Sequence, residues 1–297
     1  MIGRVLTLAL AVVGLSIAIS ARAGTPYERE LTCPVGGQEF THTSTGSYST
    51  YGARPDGRPY GSWYFPIPIP ECPDNGLVLY REFEEDEIGA LTALVLSDDY
   101  RALREETAYY RAQWLYDRLD DGTTTPPWLL MRAGWEVDDQ PARKARYQRE
   151  FAERAARFPI ESEDIESLFL RFRVANAWRE LGEFERALTA LDTIPTAALD
   201  VEIPDRSEAE YEAIEEAESR RYLLATLAPM HALIAERNVE SEPLTLIPER
   251  EAIYRCADLL VQDGEAAEPF CSAPQRADDI AEAREQLRQV REAYDKD

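Results

Sequence analysis

The chain has 297 residues, and its 56 acidic against 32 basic residues give a formal net charge of −24. A polyanion of this kind does not suit nucleic acid, whose binding depends on cations that displace counterions from phosphates, and two histidines with four cysteines are too few for a protein rich in zinc or haem sites. A hydrophobic fraction of 44% is too high for a disordered acidic tail and is sufficient for the core of one large domain or two small ones.

Residues 1–23 have the layout of a secretory signal peptide. Arg4 makes the start positive, an apolar run extends from Val5 to Ile19, and Ala21 and Ala23 place small residues at the −3 and −1 positions of a cleavage site. The run is short for a transmembrane helix, which needs about 20 apolar residues, although an uncleaved anchor is the alternative. We expect an exported, soluble protein, periplasmic or secreted, with no stable membrane span after cleavage.

Residues 24–85 are rich in glycine, proline, tyrosine and threonine and show no helical period. The sequence Arg54-Pro55-Asp56-Gly57 is typical of a turn, because proline restricts φ and glycine accepts positive φ. The prolines at 66, 68 and 70 exclude a central strand, since proline has no N–H for a sheet. We predict a small, loop-rich β module. Its aromatic strip is expected to pack on the helices, with a partner contact as the alternative: Tyr60, Trp63, Tyr64 and Phe65.

Residues 86–297 have apolar residues at helical spacing, which predicts about nine helical segments over roughly 55% of the chain. A first helix is expected at residues 86–96. Ser97 is a suitable N-cap for one longer helix that Asp121-Gly122 ends, and Pro126-Pro127 and Pro141 mark the starts of two more. Short connections make successive helices antiparallel neighbours. The predicted fold is mainly α.

A helix–turn–helix motif lies within this helical part. Residues 177–188, Ala-Trp-Arg-Glu-Leu-Gly-Glu-Phe-Glu-Arg-Ala-Leu, resemble the centre of a tetratricopeptide repeat. Gly182 permits a tight turn, and the small Ala177 and Ala187 let two helices approach closely. We predict an array of such αα-hairpins, with an ordinary αα-hairpin as the alternative. In the resembling repeats the first helix lines the groove, which implies four partner-binding residues: Arg171, Arg173, Asn176 and Arg179.

The four cysteines are even in number, which in an exported protein indicates disulfides. Three pairings are possible, and we favour the one that joins neighbours in the sequence, Cys33 with Cys72 and Cys256 with Cys271. Four reduced, buried thiols are the alternative.

Two cysteine segments, Cys33-Pro34-Val35-Gly36-Gly37 and Cys72-Pro73-Asp74-Asn75-Gly76, support a wider resemblance. Together with the helices, they resemble a bacterial family in which two Cys-Pro-X-Cys-Gly knuckles, a zinc-ribbon pattern, precede tetratricopeptide-type helices. The second cysteine of each knuckle is here glycine or asparagine. The resemblance implies a degenerate ribbon closed by a disulfide; retained zinc would instead use Cys33, Cys72 and His42. It implies no activity.

Sequence motifs of known catalytic or nucleotide-binding sites do not occur, so no catalytic residue and no cofactor is predicted. We expect a scaffold or adaptor of the bacterial envelope that binds a protein or peptide and does not bind nucleic acid. Two alternatives stay open. One is an envelope glycan hydrolase that uses paired carboxylates, and the other is a divalent-metal-binding protein that uses the acidic segment at residues 200–218.

Overall fold

The structure, a computed structural model, describes residues 25–120, 125–207, 210–262 and 269–294. The predicted signal peptide lies outside these residues. The prediction of a mainly helical chain with a small β part near the N-terminus is confirmed. Within the described ranges, no helix combines the length and the apolar character needed to cross a membrane.

The β part consists of four short strands, β1 (Pro26–Thr32), β2 (Glu39–Thr45), β3 (Thr50–Ala53) and β4 (Pro59–Gly61). They form two separate antiparallel pairs, β1 with β2 and β3 with β4. An isolated two-stranded hairpin is marginally stable in water. The β module therefore depends on the elements against which it packs.

The two cysteine segments of the β module form matching turns. In each turn the cysteine N–H donates to the carbonyl five residues later at 2.8 Å, and the glycine four residues later donates to the cysteine carbonyl. These glycines, Gly37 and Gly76, have φ values of 70° and 68°, a conformation that a side chain would strain. A disulfide joins Cys33 to Cys72, with the Cα atoms 5.7 Å apart. The predicted pairing of these two cysteines is confirmed.

Ten α-helices follow within the described residues. They are α1 (Ile88–Val95), α2 (Asp98–Ala102), α3 (Ala108–Leu119), α4 (Trp128–Trp135), α5 (Pro141–Ala155), α6 (Ile165–Glu180), α7 (Phe184–Leu191), α8 (Tyr211–Ala235), α9 (Glu249–Gln262) and α10 (Ala277–Tyr294). As expected from their prolines, α4 begins directly after Pro127 and α5 begins at Pro141.

The prediction of one helix from Ser97 to the Asp121-Gly122 stop is wrong, because the structure has two helices, α2 and α3, in this part of the chain. Ser97 caps α2 by accepting a hydrogen bond from the Tyr100 N–H, as an N-cap should, but α2 ends at Ala102. Thr107 then caps α3 in the same way. A second capping side chain satisfies the free N–H groups of a new helix, so the chain can bend between the two.

The helices from α3 to α8 pack on their neighbours in the sequence. Helix α3 contacts α4, α4 contacts α5, α5 contacts α6, α6 contacts α7, and α8 covers both α6 and α7. Gly182, with φ 75°, makes the turn between α6 and α7. The main core lies between these helices and includes large apolar side chains: Leu130, Tyr147, Phe151, Leu168, Phe172, Trp178, Leu223 and Met230.

Two smaller cores lie at the ends of this stack. The first joins the β module to α1, α2 and α3, with Cys72, Leu77, Leu91, Tyr100 and Leu115 all fully buried. The second lies between α9 and α10. It contains the disulfide between Cys256 and Cys271, which confirms the second predicted pair.

Candidate functional site

A cleft of about 560 Å³ lies between the β module and helices α3, α4 and α6. Its volume is within the range of small-molecule and peptide-sized pockets. Six aromatic side chains contribute to its lining: Tyr48, Phe65, Tyr109, Trp128, Trp135 and Phe169. The cleft exists because the proline-rich segment of the β module runs alongside the helices without pairing into a sheet.

The segment of the β module that lines the cleft is fastened to α3 by a side-chain hydrogen bond. Tyr109 donates its hydroxyl to the carbonyl oxygen of Ile67 at 2.7 Å. Two residues earlier, Phe65 is buried and meets the ring of Tyr48 edge to face, with 5.4 Å between ring centroids. Proline at 66 keeps this segment out of a sheet, so its side chains are free to line the cleft.

The wall from α4 is one face of the helix. Trp128, Met131, Arg132 and Trp135 all line the cleft, and their spacing of three, four and seven residues places them on one side. Sequence analysis did not assign them to a site. Their spacing was the available signal, but it indicates a packed face as readily as a binding face. Trp135 is only 8% exposed, and its indole Nε1 has no acceptor within the described chain.

The wall from α6 repeats this pattern, with Glu166, Phe169 and Arg173 at intervals of three and four residues. Arg173 Nη1 donates to the carbonyl oxygen of Pro55 at 2.6 Å, and its guanidinium carbon lies 5.5 Å from the ring centre of Phe169. Burial lowers the pKa of Arg173. Unlike most arginines of the described chain, Arg173 and Arg132 have no carboxylate oxygen within 4 Å.

A second, smaller cavity of about 20 Å³ adjoins the cleft. Met131, Trp135 and Arg173 line both spaces. The smaller one is also lined by polar Asp56, Lys144 and Asn176 and by apolar Leu130 and Phe151. Its volume is sufficient for about one water molecule. A few polar side chains therefore adjoin the cleft within a mainly apolar lining.

Of the four predicted partner-binding residues, Arg173 lines the cleft. Arg171 donates to the carbonyl oxygen of Phe158 at 3.0 Å. Asn176 and Arg179 are 1% and 0% exposed, so the expectation that they face an open groove is not met. Because α5, α7 and α8 all cover α6, most of its surface is interior.

Arg179 donates its hydrogen bonds to other residues of the protein. Its guanidinium donates to the carbonyl oxygens of Asn238 and Glu240 at 2.9 and 2.8 Å, and to Oδ1 of Asn176 at 2.8 Å. These bonds tie the loop after α8 to α6. A buried arginine needs several acceptors of this kind, because an unpaired buried charge is costly.

The candidate metal ligands are not brought together as a metal site. Cys33 and Cys72 share a disulfide, so neither sulfur is a thiolate. His42 lies on β2 opposite Arg29, and burial lowers its pKa. In the part of the chain that the structure describes, no group of three or more His, Cys, Asp or Glu side chains is placed to hold a metal ion.

An ion-pair network holds the β3–β4 hairpin, which contributes part of the cleft wall, and the sequence did not reveal it. Arg54 is 4% exposed and pairs with Asp56, with Asp138 at 2.6 Å and with Glu242 at 3.2 Å. Lys144 reaches the same Asp138 at 2.8 Å. The network therefore connects the hairpin to α5 and to the segment before α9.

The carboxylates near the cleft do not form a facing pair. Glu166 is the one carboxylate that lines the cleft among the described residues, whereas glycoside hydrolysis ordinarily uses two. Asp56 and Asp138 are engaged by Arg54 instead. Aromatic rings and guanidinium groups without a carboxylate partner can bind and orient a ligand.

Comparisons of the chain with protein-family models, with curated proteins and with solved structures found no match.

Proposed function

We propose that this protein is an exported adaptor of the bacterial envelope that binds a peptide segment of a partner protein in the cleft. One observation carries the proposal. The cleft combines six aromatic rings with two guanidinium groups, Arg132 and Arg173, that have no carboxylate partner in the described chain. Aromatic and arginine side chains are the residues that most often dominate binding energy at protein interfaces.

The physical basis is that the two residue types contribute different terms. Aromatic rings bury a large apolar area at a low cost in side-chain entropy. Arginine recognises planar acceptors through a fixed fork of N–H groups. A cleft that offers both can hold an apolar side chain and a neighbouring acceptor of the same peptide.

The proposal includes a role for the helices as a scaffold of tetratricopeptide type. In support, α6 and α7 form a hairpin around Gly182, and Ala177 and Ala187 are buried where the two helices meet. The stack then supplies a rigid wall, on which α4 and α6 present their cleft residues at fixed separations.

Export is supported by two features of the chain. The N-terminal 23 residues have the pattern of a signal peptide, and the cysteines form two disulfides. Disulfides persist in the periplasm and outside the cell, whereas the cytosol keeps thiols reduced.

The test is a binding screen with defined probes. Purified protein is titrated into a synthetic library of fluorescein-labelled octapeptides, prepared in free-acid and amide forms, and affinity is read from fluorescence polarisation. Quenching of tryptophan fluorescence reports the cleft directly, because Trp128 and Trp135 line it. We expect individual peptides to bind and to quench this fluorescence.

A pair of variants locates the binding. Phe169→Ala removes a ring from the cleft and is expected to weaken binding by about tenfold or more, the usual effect of truncating an interface anchor. Tyr211→Ala removes an exposed ring at the start of α8, outside the cleft lining, and is expected to change nothing. The proposal is wrong if no peptide binds, or if binding is indifferent to Phe169→Ala.

A further inference from the structure

On the basis of the proposed function, we infer that the cleft recognises the free C-terminal carboxylate of an apolar tail on its partner protein. Arg173 would bind the carboxylate, and the aromatic walls would hold the last apolar side chains.

Most N–H donors of the Arg173 guanidinium have no acceptor in the described chain. Arginine carries five N–H donors, and the structure occupies one direction, from Nη1 to the Pro55 carbonyl oxygen. Among the described residues no carboxylate oxygen lies within 4 Å of this guanidinium, although burial penalises its charged form. A carboxylate would compensate that penalty through short, charge-assisted hydrogen bonds, which an arginine fork can donate in pairs.

The rings around Arg173 supply the apolar part of the site. The guanidinium carbon of Arg173 lies 5.5 Å from the ring centre of Phe169, and Trp135 lines both the cleft and the smaller cavity together with Arg173. Rings in this position can hold an apolar side chain next to a carboxylate that Arg173 binds.

The negative charge of the protein favours a ligand with a single carboxylate. The protein has a net charge of −24, so a ligand with several acidic residues is repelled at long range. Glu166 lines the cleft and Asp56 lines the cavity behind it, which opposes additional negative charge nearby. A chain terminus provides one carboxylate beside one apolar side chain, and it matches a site that is positive at one point and aromatic elsewhere.

Gly57 lets the turn of the β module pass close to Arg173. Its φ is +88°, and a Cβ atom built on it would lie 2.9 Å from Nε of Arg173. Only a residue without a side chain therefore fits this turn, where the guanidinium passes the β module. This close approach fixes the direction of Arg173, and a preorganised group loses less entropy on binding.

The experiment compares matched peptides. Fluorescein-labelled pentapeptides with all pairs of Leu, Val, Phe and Tyr at the last two positions are made as free acids and as C-terminal amides. We expect the best free acid to bind at least about tenfold more tightly than its amide, the loss expected for one charge-assisted contact. A third set, with a C-terminal amide and one internal Glu, tests a side-chain carboxylate.

Arg173→Met should remove the preference for the acid over the amide. The matched control is Arg284→Met, which removes an exposed arginine of α10 and should preserve the preference. Because Arg173 also holds Pro55, a second variant guards against misfolding. Arg132→Met removes the exposed cleft arginine and should reduce both the affinity for the acid and its dependence on salt.

The outcomes separate this inference from the proposed function. Equal affinity for acid and amide, or a preference for the internal Glu set, overturns the inference while peptide binding itself stands. Failure of every peptide in the screen and in this set overturns both. A preference for the acid that persists in Arg173→Met and in Arg132→Met also overturns the inference, because the cleft arginines would then not read the terminus.

Discussion

Arg54 of the β module donates from Nη1 to Oδ2 of Asp138 at 2.6 Å and so joins two residues that are 84 positions apart. Arg54 lies in the turn between β3 and β4, and Asp138 lies in the connection from α4 to α5. The contact fixes the β module against the helices on one side of the cleft. A rigid cleft therefore depends on an ion-pair network at its border.

Removal of Asp138 from this network should destabilise the protein. In Asp138→Ala, Arg54 keeps Asp56 and Glu242, but Lys144 and Arg54 each lose a carboxylate. We expect a loss of about 2 kcal/mol in the free energy of unfolding, below the 3–5 kcal/mol for a buried charge left wholly unpaired. Urea unfolding measures it. The neighbouring Asp139→Ala, at an exposed position, should change stability by less than about 0.5 kcal/mol.

The same carboxylate should give the fold a defined acid sensitivity. Burial opposes the charge on Asp138, but the hydrogen bonds and charges of Arg54 and Lys144 outweigh it and lower its pKa from 3.8 to about 2. Because the folded pKa lies below the ordinary value, the contribution is complete above about pH 4 and is lost as the pH falls towards 2.

Wild type should therefore lose about 2 kcal/mol more than Asp138→Asn between pH 5 and pH 2. Chemical unfolding at a series of pH values gives both curves. Parallel curves for the two proteins over this range would show that Asp138 does not have a lowered pKa in the folded state.

Glycine at position 57 should be required for both stability and binding. In Gly57→Ala the residue must hold φ +88°, and the new Cβ would approach Nε of Arg173 at 2.9 Å. We expect a loss of about 1–2 kcal/mol in stability and weaker binding of the peptides selected in the screen. Thermal unfolding and polarisation measure the two effects.

Gly89→Ala is the matched control for this substitution. Gly89 lies in α1, its φ is not positive, and a Cβ atom there would have nothing within 4 Å. Alanine favours a helix more than glycine does, so stability should rise by about 0.5–1 kcal/mol. A similar loss in both variants would count against a special role for the turn at Gly57.

The disulfide between Cys256 and Cys271 should stabilise the C-terminal hairpin rather than the whole stack. It closes a separation of 15 residues, for which the chain-entropy estimate is about 3 kcal/mol. In the double variant Cys256→Ser with Cys271→Ser, we expect faster amide hydrogen exchange in α9 and α10. Exchange in α4 to α7 should stay as in wild type, because α9 and α10 share a separate small core.

The result that would contradict this is a uniform increase in exchange along the chain. Such an increase would mean that the hairpin and the main stack unfold as one cooperative unit. Reduction of the wild-type protein with dithiothreitol is the complementary measurement, although it also opens the bond between Cys33 and Cys72.

Local patterns determined the parts of the fold that depend on neighbours in the sequence. The helical part, the turn at Gly182 and the helix start at Pro141 were all predictable, because period, capping and backbone restriction act over a few residues. The break between α2 and α3 was missed, because Thr107, which caps α3, also fits the helical spacing that continues from Tyr100 to Leu115.

The tertiary structure alone decided which polar side chains would be buried and which would line the cleft. Nothing local distinguishes Arg179, which is interior and binds backbone carbonyls, from Arg173, which lines the cleft six residues earlier on the same helix. Their difference arises from the helices that cover α6, and the cleft arises from a β segment that packs beside it. Burial and cleft formation depend on contacts between residues distant in the sequence, which no local pattern encodes.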